Sequence, residues 1–248
     1  MRPNISKEQR DAAWEAVGGL TQAAKMPWYS YALPAGIACP GSVERCRDPK
    51  SICRVCYAKK GRYLFANVRD RSRRRYEIVS KIGYDPDTVL LNSEGLHWTA
   101  QMTLLLRYEA AKAREKNPAF VPRFRWHDSG DLISEPYTEC IVQVALRCPD
   151  ILFWLPTQEP QFVHAVHRRR KEWPNNLCVR VGLSQVDPPA DTSEPWTRKP
   201  FPGATWSFVT EDKTKVTCPG TLYTKTCDEA NCHQCWCNRV TLVKYRRH

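Results

Sequence analysis

The cysteines constrain this chain more than any other feature. Most of its twelve stand in two groups near the two ends, and the groups are built alike. The first reads Cys39-x6-Cys46-x6-Cys53-x2-Cys56. The second reads Cys218-x8-Cys227-x4-Cys232-x2-Cys235, with Cys237 just beyond. Each opens with Cys-Pro-Gly and a hydroxyl residue, and each closes on Cys-x-x-Cys followed by Tyr57 or Trp236. In C-x2-C the loop folds back so that both sulfurs reach one metal, while backbone N–H groups point at the sulfurs. Thiolates are ligands for tetrahedral zinc and for iron–sulfur clusters alike. The fold must therefore gather four sulfurs twice, or all of them once, and the spacing leaves both arrangements open.

Zinc ribbons carry two C-x2-C knuckles per site, and here each group has one. An iron–sulfur cluster, [4Fe-4S] above all, is the expected cofactor, with zinc as the alternative. Cys140, Cys148 and Cys178 sit in helix- or strand-like segments and read as small buried hydrophobes. His233, between Cys232 and Cys235, reads as an exposed loop histidine.

The opening MRPNISKEQRDAAWEAV is too polar for a signal peptide, and no run of about eighteen apolar residues occurs. The expectation is a protein of the reducing cytoplasm with no membrane partner, where cysteines serve as metal ligands and not as disulfides. A formal charge of +12 points to a polyanion, nucleic acid first. The charge is bunched: Arg69, Arg71, Arg73, Arg74 and Arg75 run along one predicted helix, and Arg168, Arg169 and Arg170 close another. Guanidinium groups grip phosphate with a planar fork, so these are the candidate nucleic-acid contacts.

Residues 5–25 predict a helix with Ser6 as N-cap, and residues 26–62 a Pro-rich loop holding the first cysteines. A basic helix is expected over 63–82 and an amphipathic one over 94–116. Thereafter PRFRWHDSGDL, ILFWLPTQ, LCVRVGLS and ATWSFVT read as strands, with helices at 134–147 and 160–173 between the first three. That cadence implies βαβ units and a parallel sheet. The expected fold is α/β, a partial or irregular (β/α) barrel with a cysteine-rich C-terminal extension; an open sheet is second. One domain is expected over 1–248: residues 1–62 with the first cysteine loop, 63–210 as the α/β body, and 211–248 with the second cysteines and a basic tail. Residues 186–203 form a Pro-rich loop.

Three of these strands end in polar residues. His127, Asp128 and Asp131 follow the first, Thr157 and Gln158 close the second, and Ser184 the third. In parallel α/β folds the carboxyl edge is where ligands bind. His127, Asp128, Asp131 and Ser184 are thus candidate catalytic residues, and Thr157 and Gln158 candidate cofactor contacts. Asp131 or Ser134 is also expected to cap the helix at 134–147.

The segments CPGS…CRVCYAKKGRY, RFRWHDSGDLISEPY, FWLPTQ, VRVGLS and CPG…C…C…CW, spread over about residues 36–237, resemble the "gene 88 product" family of tailed-bacteriophage proteins. The resemblance implies a phage protein working in the bacterial cytoplasm. More distantly, CxxCYA followed by a strand ending in Ser-Gly-Asp is similar to spore-photoproduct-lyase-like radical SAM proteins. Those are TIM-barrel-like partial barrels that hold a [4Fe-4S] cluster with three cysteines and act on nucleic acid. The chain departs from their CxxxCxxC motif, since neither Pro49 nor Lys50 is cysteine. A fourth cysteine would close the cluster against S-adenosylmethionine. HDSGD also resembles the DSGG motif of tRNA-guanine transglycosylases, zinc-bearing TIM barrels in which the aspartate matching Asp128 acts at the base. Three functions follow as expectations: a cluster-dependent enzyme acting on nucleic acid, a zinc-containing base transglycosylase, and a non-catalytic, cluster-stabilised nucleic-acid-binding or host-takeover protein.

Overall fold

The computed structural model describes residues 5–170, 172–188, 204–223 and 225–247. Helix α1, Lys7–Ala16, is opened by Ser6, whose hydroxyl accepts the Gln9 amide while the Gln9 side chain accepts the Ser6 amide. It stops short of residue 25 because Gly18 and Gly19 both take φ of 75°, a left-handed conformation that ends a helix. The loop-like stretch that follows contains a two-residue strand, β1 (Ser30–Tyr31), and a single helical turn, α2 (Ser42–Arg45). Two 3-10 turns, Tyr57–Lys59 and Gly61–Leu64, lead into α3 (Ala66–Val79) and then α4 (Ser93–Lys116).

Strands and helices then alternate: β2 (Arg123–Trp126), α5 (Glu135–Arg147), β3 (Leu152–Thr157), α6 (Pro160–Arg169) and β4 (Leu177–Val186). Last come β5 (Ala204–Thr210), the short α7 (Pro219–Leu222) and β6 (Leu242–Arg246). The expected loop at 186–203 lies, from 189 on, outside the described residues.

Among the described residues the sheet has six parallel strands in chain order, β1-β2-β3-β4-β5-β6. Side chains alternate between the two faces of each strand. Phe124, Trp126, Phe153, Leu155, Val179 and Val181 point to one face, where they pack with Trp98, Leu105, Ile141 and Val163 of α4, α5 and α6. Cys140 and Cys148 belong to this core, as expected of small hydrophobes.

The intervening residues, Arg125, Trp154, Cys178 and Arg180, face the other way. There Trp154 packs with Cys218, Cys235, Trp236 and Val243. The second cysteine group therefore lies in the crossover from β5 to β6 and covers the face opposite the helices. The expected C-terminal extension needs this correction: the tail supplies a sheet strand, with Val243 and Tyr245 paired in register with Ser207 and Val209. Basic residues at Lys244 and Arg246 alternate with these two and mask the strand pattern. Among the described residues, no helix is long and apolar enough to cross a membrane.

Candidate functional site

The first cysteine loop lies across the carboxyl ends of β2, β3 and β4. The Leu33 amide donates to the Ser129 carbonyl at 2.9 Å, and the Asp131 amide to the Ala38 carbonyl at 2.7 Å. The Gly41 amide reaches Glu159 Oε1 at 2.9 Å. Further on, the Ile52 amide donates to the Ser184 carbonyl at 2.8 Å and the Val186 amide to the Lys50 carbonyl at 2.9 Å. Gly130 permits the closest approach: it takes φ of 74°, and a Cβ there would lie 2.6 Å from Leu33 Cβ.

Beneath this loop the HDSGD segment is buried. His127 has a left-handed φ of 51°, and its Nε2 meets the Tyr137 hydroxyl at 3.1 Å. Its Nδ1 is buried with no partner among the described residues. Burial, reinforced by the Arg125 charge, pushes its pKa down to about 3, so the ring is neutral near pH 7. Asp128 accepts the Ser30 hydroxyl at 2.9 Å through its carboxylate, and its carbonyl accepts the Tyr57 hydroxyl at 2.5 Å.

Asp131 binds β3 to this segment. It accepts Thr157 Oγ1 at 2.6 Å and the amides of Leu132 and Gln158, both at 2.7 Å. Burial nonetheless raises its pKa to about 7, because those hydrogen bonds only partly offset the loss of water. The Thr157 hydroxyl also accepts the Glu159 amide at 2.9 Å. Thr157 thus serves the end of the strand, and Ser134, not Asp131, caps α5. Gln158 lies over Gly182 on the neighbouring strand. Ser184 is exposed and joins the loop through its backbone, so the structure does not bring its hydroxyl into the buried group.

In the first cysteine group, Cys53 and Cys56 lie near enough to Cys39 to oppose its ionisation, and Cys53 near enough to Cys56 to do the same. Burial pushes the Cys39 thiol up to about 12 and raises that of Cys56, which the amides of Ala58 and Lys59 partly counter. Arg45 spans from Cys53 Sγ, 3.5 Å from its Nε, to the buried Glu159. The Cys46 sulfur lies 4.0 Å from Lys59 Nζ, the same ammonium that favours the Cys56 thiolate.

In the second group Cys218 and Cys232 lie near enough to Cys227 to oppose its ionisation, and Cys218 and Cys227 near enough to Cys235. Burial raises Cys227 to about 11 and Cys235 to about 12, and Tyr245 Oη lies 3.1 Å from Cys235 Sγ. Cys237, the extended residue after the 3-10 turn Gln234–Trp236, neighbours the buried Cys178. Among the described residues, no three or more Cys, His, Asp or Glu side chains already stand in metal-chelating geometry.

Arg125 lies between the two groups. Its Nη2 donates to the Tyr57 hydroxyl at 3.2 Å, and its guanidinium sits 4.4 Å from the ring centroid of Trp154. Trp154 in turn stacks on Tyr245 with centroids 6.3 Å apart.

The arginine runs divide. Arg69, Arg71, Arg73 and Arg168 are exposed, Arg74 pairs with Glu15, Arg169 with Glu135 and Arg170 with Glu139. Arg75 is a correction. It is 3 % exposed and donates to the carbonyls of Gly18, Gly19 and Ala32 and to Thr21 Oγ1, stacked over Tyr31. It ties α3 to the start of the sheet and is withdrawn from any phosphate. A helix-periodic run of arginines cannot show which one faces inward.

Sequence reasoning missed Ser30, Arg45, Tyr57, Arg125, Glu159 and Arg180. Only Tyr57 had a local signal, as the aromatic residue after C-x2-C. A family model described as Gene product 88 matches residues 3–238. No curated protein and no solved structure matches the chain.

Proposed function

The chain belongs to the Gene product 88 family, and from that premise and the geometry above we propose that it is a phage metalloprotein of the host cytoplasm, built as a partial barrel and acting on nucleic acid. The observation that carries this reading is the gathering of the Cys39, Cys53 and Cys56 thiols over the carboxyl edge of a parallel sheet. Ligands of parallel α/β folds bind at that edge.

Three mutually close thiols suit an iron–sulfur cluster with one position open. When bound, such a cluster supplies one-electron chemistry or an open coordination site, where S-adenosylmethionine or the substrate itself would approach. Arg45, Lys59 and the amides of Ala58 and Lys59 offset the thiolate charge. Buried Glu159 orients Arg45, and Asp131 holds the loop and β3 together. His127 offers a neutral ring nitrogen, and Asp128 a carboxylate already steadied by Ser30. The exposed basic stretch from Arg54 to Arg73 follows the first cysteine group along the chain and would hold the phosphates.

The test is iron and sulfide content, with an absorption spectrum, on protein purified without oxygen. Broad absorbance near about 400 nm is expected, lowered together with the iron and sulfide content in C39A, C53A and C56A but unchanged in C46A. A first group that carries no iron in wild type, or an equal loss in C46A, would overturn the three-thiol cluster.

A further inference from the structure

We propose that Cys218, Cys227, Cys232 and Cys235 form a second, closed tetrathiolate metal centre whose negative charge is countered by the buried guanidinium of Arg180. This rests on reading the cysteines as metal ligands, but not on what the first group holds.

Arg180 is wholly buried on β4, on the face that the second cysteine segment covers. Among the described residues every hydrogen bond it makes goes to a backbone carbonyl: Gln234 at 2.5 Å, Cys237 and Val240 at 3.0 Å, Cys235 at 3.2 Å and Trp206 at 3.5 Å. Among the described residues no carboxylate pairs with it. Carbonyls solvate a guanidinium but do not neutralise it, and a buried unpaired charge costs several kcal/mol. Buried charges are therefore paired or belong to a metal site.

The cysteine segment offers the missing charge. Four thiolates around a divalent cation, or around a [4Fe-4S] core in its usual oxidised state, leave two net negative charges. The four thiols share one neighbourhood: Cys218 and Cys235 lie within the apolar cluster of Trp154, Trp236 and Val243, Cys227 packs against it, and Cys232 lies near Cys227. Low dielectric there strengthens the attraction between the centre and Arg180. Arg180 also grips the carbonyls of Gln234, Cys235 and Cys237, and so fixes the turn that presents the terminal Cys-x-x-Cys. Tyr245 lies against the Cys235 sulfur, as a hydrogen bond that orients a metal ligand does. All four ligand positions are taken, so the centre is structural: it locks the segment onto the sheet.

The experiment uses the full-length chain purified without oxygen, with zinc, iron and sulfide measured per chain. The C39A/C53A/C56A variant should retain one metal centre, and adding C232A/C235A should remove it. Zinc in the triple variant would identify a zinc site, and iron with equal sulfide a cluster; either supports the centre. A triple variant without metal, or one whose metal survives C232A/C235A, overturns it. Failure of the first-group reading is distinguishable, because wild type and triple variant would then hold the same metal.

For Arg180, R180M should release the metal to a chelator about 10- to 100-fold faster. If R180M does not fold, R180K keeps the charge without the fork and should hold the metal yet release it faster. Release at the wild-type rate in the folded variant would overturn the role of Arg180.

Discussion

His127 and Asp131, four residues apart and both buried, have their pKa values moved in opposite directions by the same lack of water. In the folded chain His127 titrates near 3 and Asp131 near 7, against ordinary values of 6.5 and 3.8. Between about pH 4 and 6.5 the unfolded chain carries its proton on histidine and the folded chain on aspartate. Proton counts match there, so the pair gives stability no slope with pH. Single variants should reveal the opposed halves. In D131N only the histidine remains, and its stabilisation is lost as pH falls from 6.5 toward 3. In H127Q only the aspartate remains, and stability falls as pH rises from about 4 to 7. Denaturant midpoints at several pH values read both slopes; slopes of the same sign would refute the assignment. Gly130 makes a simpler case. G130A places a Cβ against Leu33 at a left-handed φ, which costs about 1–3 kcal/mol from the backbone alone. Thermal denaturation should show the loss.

At the scale of elements, α3 divides its arginines between solvent and the interior. R69A, R71A and R73A should each weaken nucleic-acid binding and reduce its salt slope by about one. R75M should instead lower stability and leave the salt slope unchanged, because its guanidinium ends on carbonyls and Thr21. Titrations at several salt concentrations, beside melting curves, separate the two. Strand β3 joins both sides of the molecule: Phe153 and Leu155 enter the helix-side core, while Trp154 meets Trp236 and Tyr245. W154A should cost about 3–5 kcal/mol, read as a shift in the denaturation midpoint.

Over the whole molecule, the second cysteine segment is held by the sheet and in turn holds it. Trp236 Nε1 donates to the Phe124 carbonyl at 2.9 Å, the Cys227 amide to the Lys25 carbonyl at 3.2 Å, and β6 completes the sheet beside β5. A chain ending at residue 210 would leave Trp154 and Arg180 uncovered. It should lack the cooperative unfolding transition of the full chain, as circular dichroism on heating would show. A sharp transition in that truncated chain would mean that 211–248 is a true appendage.

The sequence by itself determined the two cysteine sets, the βαβ rhythm from 120 to 186, the Ser6 cap and the apolar fate of Cys140 and Cys148. Each is written in local spacing, which the chain carries before it folds. It did not show β1, because two residues are too short for a period, nor β6, whose inward Val243 and Tyr245 alternate with basic side chains. Tertiary structure alone decided that Arg75 and Arg180 are buried, since one arginine looks like another until a neighbouring segment covers it. It also brought Cys39, Cys53 and Cys56 together at the carboxyl edge. Spacing along a chain limits which sulfurs can meet. Which of them do meet depends on the strands and loops that come between.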